Sequence, residues 1–233
     1  MKLVLCDDVK DVHEEVKSLI NIYQEVKRID IDIVDCLSSK DLLDIDYSYD
    51  AILLDIDMPE IDGIEAARIL RERNNNTTIV MLTCKRERFK DAFKIGAVRF
   101  ITKPIDKDEV FEALDYVVLS LAGQEMVDVR VNGIACKIKQ RDIWLVEARS
   151  DYQKIYAGQK VYDSRKRLNN LECELDERLF VATHKSYIVN MMYVSEITKS
   201  GVIMDDGRKI PIARRRYKDV VQKIIEFDRT RGC

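Results

Sequence analysis

The chain has 233 residues, with 39 Lys and Arg against 42 Asp and Glu, a net charge of −3, and 46% hydrophobic beside 35% charged residues. This balance excludes a disordered chain, and the length fits one or two globular domains. No apolar run approaches the ~20 residues of a membrane-spanning helix, and Met1-Lys2 leads straight into the strand-like Leu3-Val4-Leu5-Cys6, so the expectation is a cytoplasmic protein with no signal sequence and no membrane partner.

The charge divides along the chain. Residues 1–120 carry 17 Lys and Arg against 26 Asp and Glu, net −9, whereas residues 121–233 carry 22 against 16, net +6. An acidic half suits a cation site; a basic half suits an anionic polymer such as nucleic acid. Cys6, Cys36, Cys84, Cys136, Cys173 and Cys233 show no CxxC spacing and only two histidines accompany them. A zinc site is therefore not expected, and the thiols read as reduced small hydrophobes.

In the first half, strands are predicted near 2–7, 31–36, 50–56, 77–83 and 97–102, with helices near 10–27, 38–45, 64–73, 86–94 and 106–120. Five βα units imply a doubly wound five-stranded parallel sheet of the α/β class. The run Ala51-Ile52-Leu53-Leu54 lacks polar alternation, as a strand covered on both faces does, and delivers Asp55 to the carboxyl edge where ligands bind. Met58-Pro59 cannot continue a central strand, and Asp62-Gly63 reads as a turn before the next helix. The first strand ends in Asp7-Asp8, beside Asp55. At ~5 Å and an effective dielectric of ~20 each like-charged pair costs about 3 kcal/mol, so the cluster requires a hard cation or cationic side chains. With oxygen-only ligands the expected ion is Mg²⁺. Thr83 ends the fourth strand and Lys103-Pro104 follows the fifth. They supply the donor and the positive charge that an acyl phosphate on Asp55 needs.

Asp7-Asp8, LLDIDMPEIDG, Leu82-Thr83 and FITKP at 100–104 resemble the receiver domain of two-component response regulators over the whole first 120 residues. The resemblance implies phosphotransfer from a sensor histidine kinase to Asp55. Mg²⁺ would be held by Asp8, Asp55 and the backbone carbonyl of Asp57, with Asp7 assisting. Thr83 and Lys103 would contact the phosphoryl group, and Phe100 would be the switch aromatic. Lys85 would lie over the phosphoryl group or simply be solvated. Arg86, Arg88, Lys90 and Lys94 on one helix and Asp106, Asp108, Glu109, Glu112 and Asp115 on another offer opposite charges, so a homodimer is expected through the face formed by 86–94 and 97–120.

The join is expected at 121–125. Beyond it, 127–131, 134–139, 143–148 and 154–157 read as short strands, and only 163–172 and 214–227 as helix, so residues 126–233 form a mostly β domain. No GxxxxGK[ST], GxSxG or nucleophilic Cys/His pair is present, and the chain is not expected to be an enzyme. The segments WLVEARSDYQKIY, His184-Lys185-Ser186-Tyr187-Ile188-Val189-Asn190 and Ile210-Pro211-Ile212-Ala213-Arg214-Arg215-Arg216-Tyr217 resemble the LytTR DNA-binding domain. The resemblance implies loops inserted into successive major grooves, with Gln153, Lys185 and Arg214 as base-contacting residues. Arg214 suits guanine O6/N7, Gln153 adenine N6/N7, and Lys185 either guanine or phosphate. Arg149, Lys154, Arg215 and Arg216 suit phosphates. His184 and Asn190 read as structural. The family often has arginine where this chain has Ala182, so one phosphate contact is either lost or supplied by Arg178.

The function expected is a phosphorylation-dependent transcriptional regulator binding double-stranded promoter DNA as a dimer. The alternatives are a phosphorylation-controlled protein-interaction module and, more remotely, a phosphatase-like enzyme with Asp55 as nucleophile and Asp57 as acid/base.

Overall fold

The structure, a computed structural model, describes every residue except Tyr47, Asn74, Lys85 and Cys233, together with the side chain of Arg86. Two compact units divide the chain, Met1–Ser120 and Leu121–Cys233. No helix among the described residues is long and apolar enough to cross a membrane.

The first unit alternates β1 (Lys2–Cys6), α1 (Lys10–Lys27), β2 (Asp32–Cys36), α2 (Ser39–Leu43), β3 (Ala51–Asp55), α3 (Gly63–Glu72), β4 (Thr78–Thr83), α4 (Phe89–Lys94), β5 (Ala97–Thr102) and α5 (Lys107–Ser120). All five strands pair in parallel in the order β2-β1-β3-β4-β5. The order reverses between β1 and β3, which opens a crevice at their carboxyl ends. Every residue of β3 is buried, as its unbroken apolar run requires. Helix α1 turns Val16, Ile20 and Tyr23 inward at helical spacing. Asp62 caps α3 by accepting the Glu65 N–H at 2.8 Å. The helix expected over 86–94 is instead a 3₁₀ turn, Arg86–Arg88, followed by the short α4.

The second unit contains β6 (Met126–Val131), β7 (Ile134–Lys139), β8 (Ile143–Ala148), β9 (Gln153–Ala157), β10 (Lys160–Ser164), α6 (Leu168–Glu174), β11 (Phe180–His184), β12 (Tyr187–Asn190), β13 (Val194–Ile197), β14 (Gly201–Met204), β15 (Lys209–Pro211) and α7 (Tyr217–Arg231). Seven strands form one sheet in the order β11-β12-β8-β9-β10-β6-β7, and β13-β14-β15 form a second. Three expectations are corrected here. The helix expected at 163–172 starts later, because Asp163 and Ser164 continue the β10 ladder opposite Lys154 and Gln153. The last helix begins at Tyr217, after a 3₁₀ turn at Arg214–Arg216, and runs on to Arg231. The stretch expected as a linker is folded into this unit: the Gly123 N–H donates to Asp176 at 3.0 Å, and the Arg141 N–H donates to the Gly123 carbonyl at 2.9 Å.

Candidate functional site: an acidic pocket and a basic edge

Asp7 and Asp55 leave the carboxyl ends of the adjacent strands β1 and β3 and are almost fully buried, at 0% and 3% exposure; Asp8 is exposed. Oxygens of the three carboxylates lie within 4.8 Å of one another. Lys103 reaches in from the loop after β5, its Nζ 2.6 Å from Asp7 Oδ2 and 2.8 Å from Asp55 Oδ1. Its backbone is fixed by an N–H bond of 2.9 Å to the Thr83 carbonyl, and the Lys103–Pro104 peptide is cis. Burial lifts the Asp55 carboxyl above the usual carboxylate range, and Asp7 and Asp57 add to this, while Lys103 opposes it. Burial also works against the Lys103 ammonium, but Asp55 and Asp7 outweigh it and hold its pKa above the usual lysine value. An all-carboxylate donor set with one exposed member fits a hard divalent ion, and one ammonium neutralises only part of the charge of three carboxylates.

Thr83 is fully buried at the end of β4, in register with Thr102 of β5. Asp57 follows in the loop after β3, with the Arg88 guanidinium 4.0 Å from its carboxylate and 2.9 Å from that of Asp62. Phe100 is half-buried, stacked on Phe89 at 4.0 Å between ring centroids and edge-on to Phe93 at 4.8 Å; Phe93 is 58% exposed. Lys85 lies outside the described residues, as does the side chain of Arg86. The charged stripes expected on the α4 and α5 faces are partly consumed within the unit. Arg88 turns to Asp62, Lys94 pairs with Asp91, Glu109 accepts from Thr102, and Asp115 accepts from Tyr23 and pairs with Lys27. Sequence reasoning missed Arg88 as a tie between two loops. It also missed His13, which is 3% exposed and bonded to the Asp7 carbonyl; its place on the inner face of α1 was the available signal.

In the second unit, backbone hydrogen bonds gather the sequence-predicted contacts onto one edge. The Ala148 N–H donates to the Ser186 carbonyl at 2.8 Å, and the Ala213 N–H to the Thr183 carbonyl at 2.9 Å. The β8–β9 turn with Arg149, the β11–β12 turn with Lys185, and the start of the last helical segment with Arg214 are thereby stitched together. Lys185, Arg214 and Arg215 are exposed on this edge. Arg149 keeps an ion pair of 3.0 Å to Glu147, and Lys154 is half-buried opposite Glu147.

Three expected contacts are corrected. Gln153 is 8% exposed, the first residue of β9 with its side chain inward, so it cannot pair with adenine in this conformation. Arg216 donates to the Ala182 carbonyl at 2.9 Å and to Glu172 at 3.3 Å, ties within the domain rather than a free phosphate contact. Arg178 forks onto Asp176 at 2.8 and 2.6 Å and does not replace an arginine at the buried Ala182. His184 and Asn190 are structural: His184 Nδ1 accepts the Ser186 N–H at 3.3 Å, and Asn190 donates to the Ile143 carbonyl at 2.8 Å while accepting from Met192.

Residues 3–115 match the response regulator receiver domain family, and residues 135–225 match the LytTr DNA-binding domain family. The sensory transduction protein LytT of Enterococcus faecalis is 24% identical over 243 residues, covering 96% of this chain and 99% of that protein. The transcriptional regulatory protein LytR of Staphylococcus aureus is 22% identical, covering 94% and 97%. Among solved structures, the receiver domain of the Francisella response regulator 1452 is 28% identical over 50% of this chain and 94% of that one, with a TM-score of 0.43. With a receiver domain followed by a LytTR DNA-binding domain, the chain belongs to the LytTR family of two-component response regulators.

Proposed function

We propose that Asp55 accepts a phosphoryl group from the phosphohistidine of a sensor kinase and that the phosphorylated protein binds promoter DNA as a dimer. The observation that carries this reading is the convergence of Asp55, Asp7, Asp8, Thr83 and Lys103 at one strand edge. An Asp55 carboxylate oxygen attacks phosphorus. The new O–P bond forms as the P–N bond breaks, and the electron pair leaves on the imidazole nitrogen, which takes up a proton. Asp8, Asp55 and the Asp57 carbonyl are the residues that would hold Mg²⁺, with Asp7 beside them; the ion supplies positive charge against the phosphoryl oxygens. Lys103 keeps its ammonium on the same oxygens, and the Thr83 hydroxyl donates to one of them.

Residues 1–120 act as the receiver and 126–233 as the DNA reader. Lys185 and Arg214 contact bases and Arg215 phosphates, with Lys154 joining them and Arg149 doing so once Glu147 releases it. Dimerisation through α4, β5 and α5 uses the exposed Phe93 and exposed charges such as Lys90 and Glu112, which pair with no other described residue. Joining two reading heads raises avidity by about 10²- to 10⁴-fold without new base contacts. The test is incubation of wild type and Asp55→Asn with acetyl phosphate and Mg²⁺, read by intact mass and sedimentation. A phosphoryl adduct and a dimer confined to the wild type are expected; an adduct of equal yield on Asp55→Asn would overturn the assignment.

A further inference from the structure

We propose that His13 is a positioning residue for the acidic pocket, which acts through Asp7 and sets the pocket's affinity for its divalent cation. This rests on the receiver reading above and adds a residue to it. His13 sits in the first turn of α1, facing the end of β1, and is 3% exposed. Its Nε2 lies 2.9 Å from the carbonyl oxygen of Asp7 and its Nδ1 2.7 Å from Asp35 Oδ1. Lys17, one helical turn further on, holds the other oxygen of Asp35 at 2.5 Å. Both groups that the imidazole meets are acceptors, the backbone carbonyl of Asp7 on one side and the Asp35 carboxylate on the other.

The carbonyl that His13 grips belongs to the peptide joining Asp7 to Asp8. The amide on the other side of Asp7 is held by the Cys36 carbonyl at 3.1 Å, and the Asp7 side chain by the Val9 N–H at 3.0 Å and Lys103 at 2.6 Å. Asp8 is exposed, and among the described residues no hydrogen bond or ion pair fixes its carboxylate. Its direction therefore depends on the plane of the Asp7–Asp8 peptide, and His13 fixes that plane. A hydrogen-bonded partner behind a metal ligand commonly governs affinity about 10- to 100-fold. Here the partner acts through the backbone, and Asp35 and Lys17 hold it from the surface.

The test is calorimetric titration of Mg²⁺ into the full-length protein at fixed pH. Wild type is compared with His13→Leu, His13→Arg, Asp35→Asn and the ligand control Asp8→Asn, each checked for folding by circular dichroism. His13→Leu is expected to weaken Mg²⁺ binding about 10-fold or more, and Asp35→Asn by a few-fold. His13→Arg, whose guanidinium can donate to both Asp7 and Asp35, is expected to recover affinity to within about threefold of wild type. The maximal phosphorylation rate with acetyl phosphate at saturating Mg²⁺ should change much less than the Mg²⁺ concentration needed to reach it. Wild-type affinity in a folded His13→Leu overturns the proposal. If that variant does not fold, wild-type affinity in Asp35→Asn overturns it equally. Equal Mg²⁺ binding by wild type and Asp8→Asn would instead sink the pocket assignment itself.

Discussion

Gly63 opens α3 so close to the preceding strand that a Cβ on it would stand 1.9 Å from the carbonyl oxygen of Asp55. Its N–H bonds the Ile56 carbonyl at 3.0 Å, so the helix start cannot drift away. Gly63→Ala should therefore cost about 2–3 kcal/mol in urea unfolding and slow phosphorylation by acetyl phosphate, because the backbone that yields carries Asp55. Asp176 is a second residue with a legible cost. Burial works against its carboxylate, but Arg178 and the N–H groups of Arg178 and Gly123 outweigh it and hold its pKa below the usual carboxylate value. A depressed folded pKa means stabilisation that is complete above the unfolded value of about 3.9 and drains away as pH falls through the folded one. Asp176→Asn should lose about 1–3 kcal/mol at neutral pH and differ little from wild type in strong acid. The single tryptophan, Trp144, lies in the second unit, so its fluorescence follows that unit. Burial pushes the Cys6 thiol far above its ordinary range and the Cys36 thiol up to about 11. Both should resist a thiol reagent in the native protein at mildly alkaline pH while the exposed Cys84 and Cys173 react, which a count of labelled thiols by mass checks.

At the scale of elements, the three arginines of the 3₁₀ turn before α7 separate by what they touch. Arg214→Ala should cost about 1–3 kcal/mol in binding a selected duplex and leave the Trp144 unfolding curve unchanged. Arg215→Ala should weaken binding to all duplexes alike and lower the salt slope by about 0.9. Arg216→Ala should instead lower stability by about 1–2 kcal/mol, because the Ala182 carbonyl and Glu172 lose a donor. Titrations by fluorescence anisotropy at several salt concentrations, beside urea unfolding, distinguish the three. Sequence alone gave Arg215 and Arg216 the same phosphate role, since the pattern of a helix start says nothing of the carbonyl that Arg216 meets 34 residues earlier. Gln153 was misread for a related reason. The strand begins at Gln153 rather than Lys154, and in a strand one residue decides which face a side chain takes.

Across the whole molecule, legibility followed burial. The parallel sheet was readable because β1, β3 and β4 carry unbroken apolar runs ending in Asp7-Asp8, Asp55 and Thr83, and chain topology alone brings strand ends to one edge. The second unit was readable only in outline, as its strands are three to six residues long and several carry one buried face. Its loops are joined by backbone bonds such as Ala148–Ser186, which leave no mark in side-chain pattern. The opposed charges of the two halves, net −9 and net +6, suit an acidic receiver domain and a basic DNA-binding domain in one chain. The most direct test is selection from random DNA duplexes by the full-length protein with Mg²⁺, with and without acetyl phosphate, beside Asp55→Asn. A paired motif enriched chiefly by phosphorylated wild type is the predicted result. No enriched motif in any arm, with the protein shown by mass to carry the phosphoryl group, would contradict it and favour a protein partner for the basic edge.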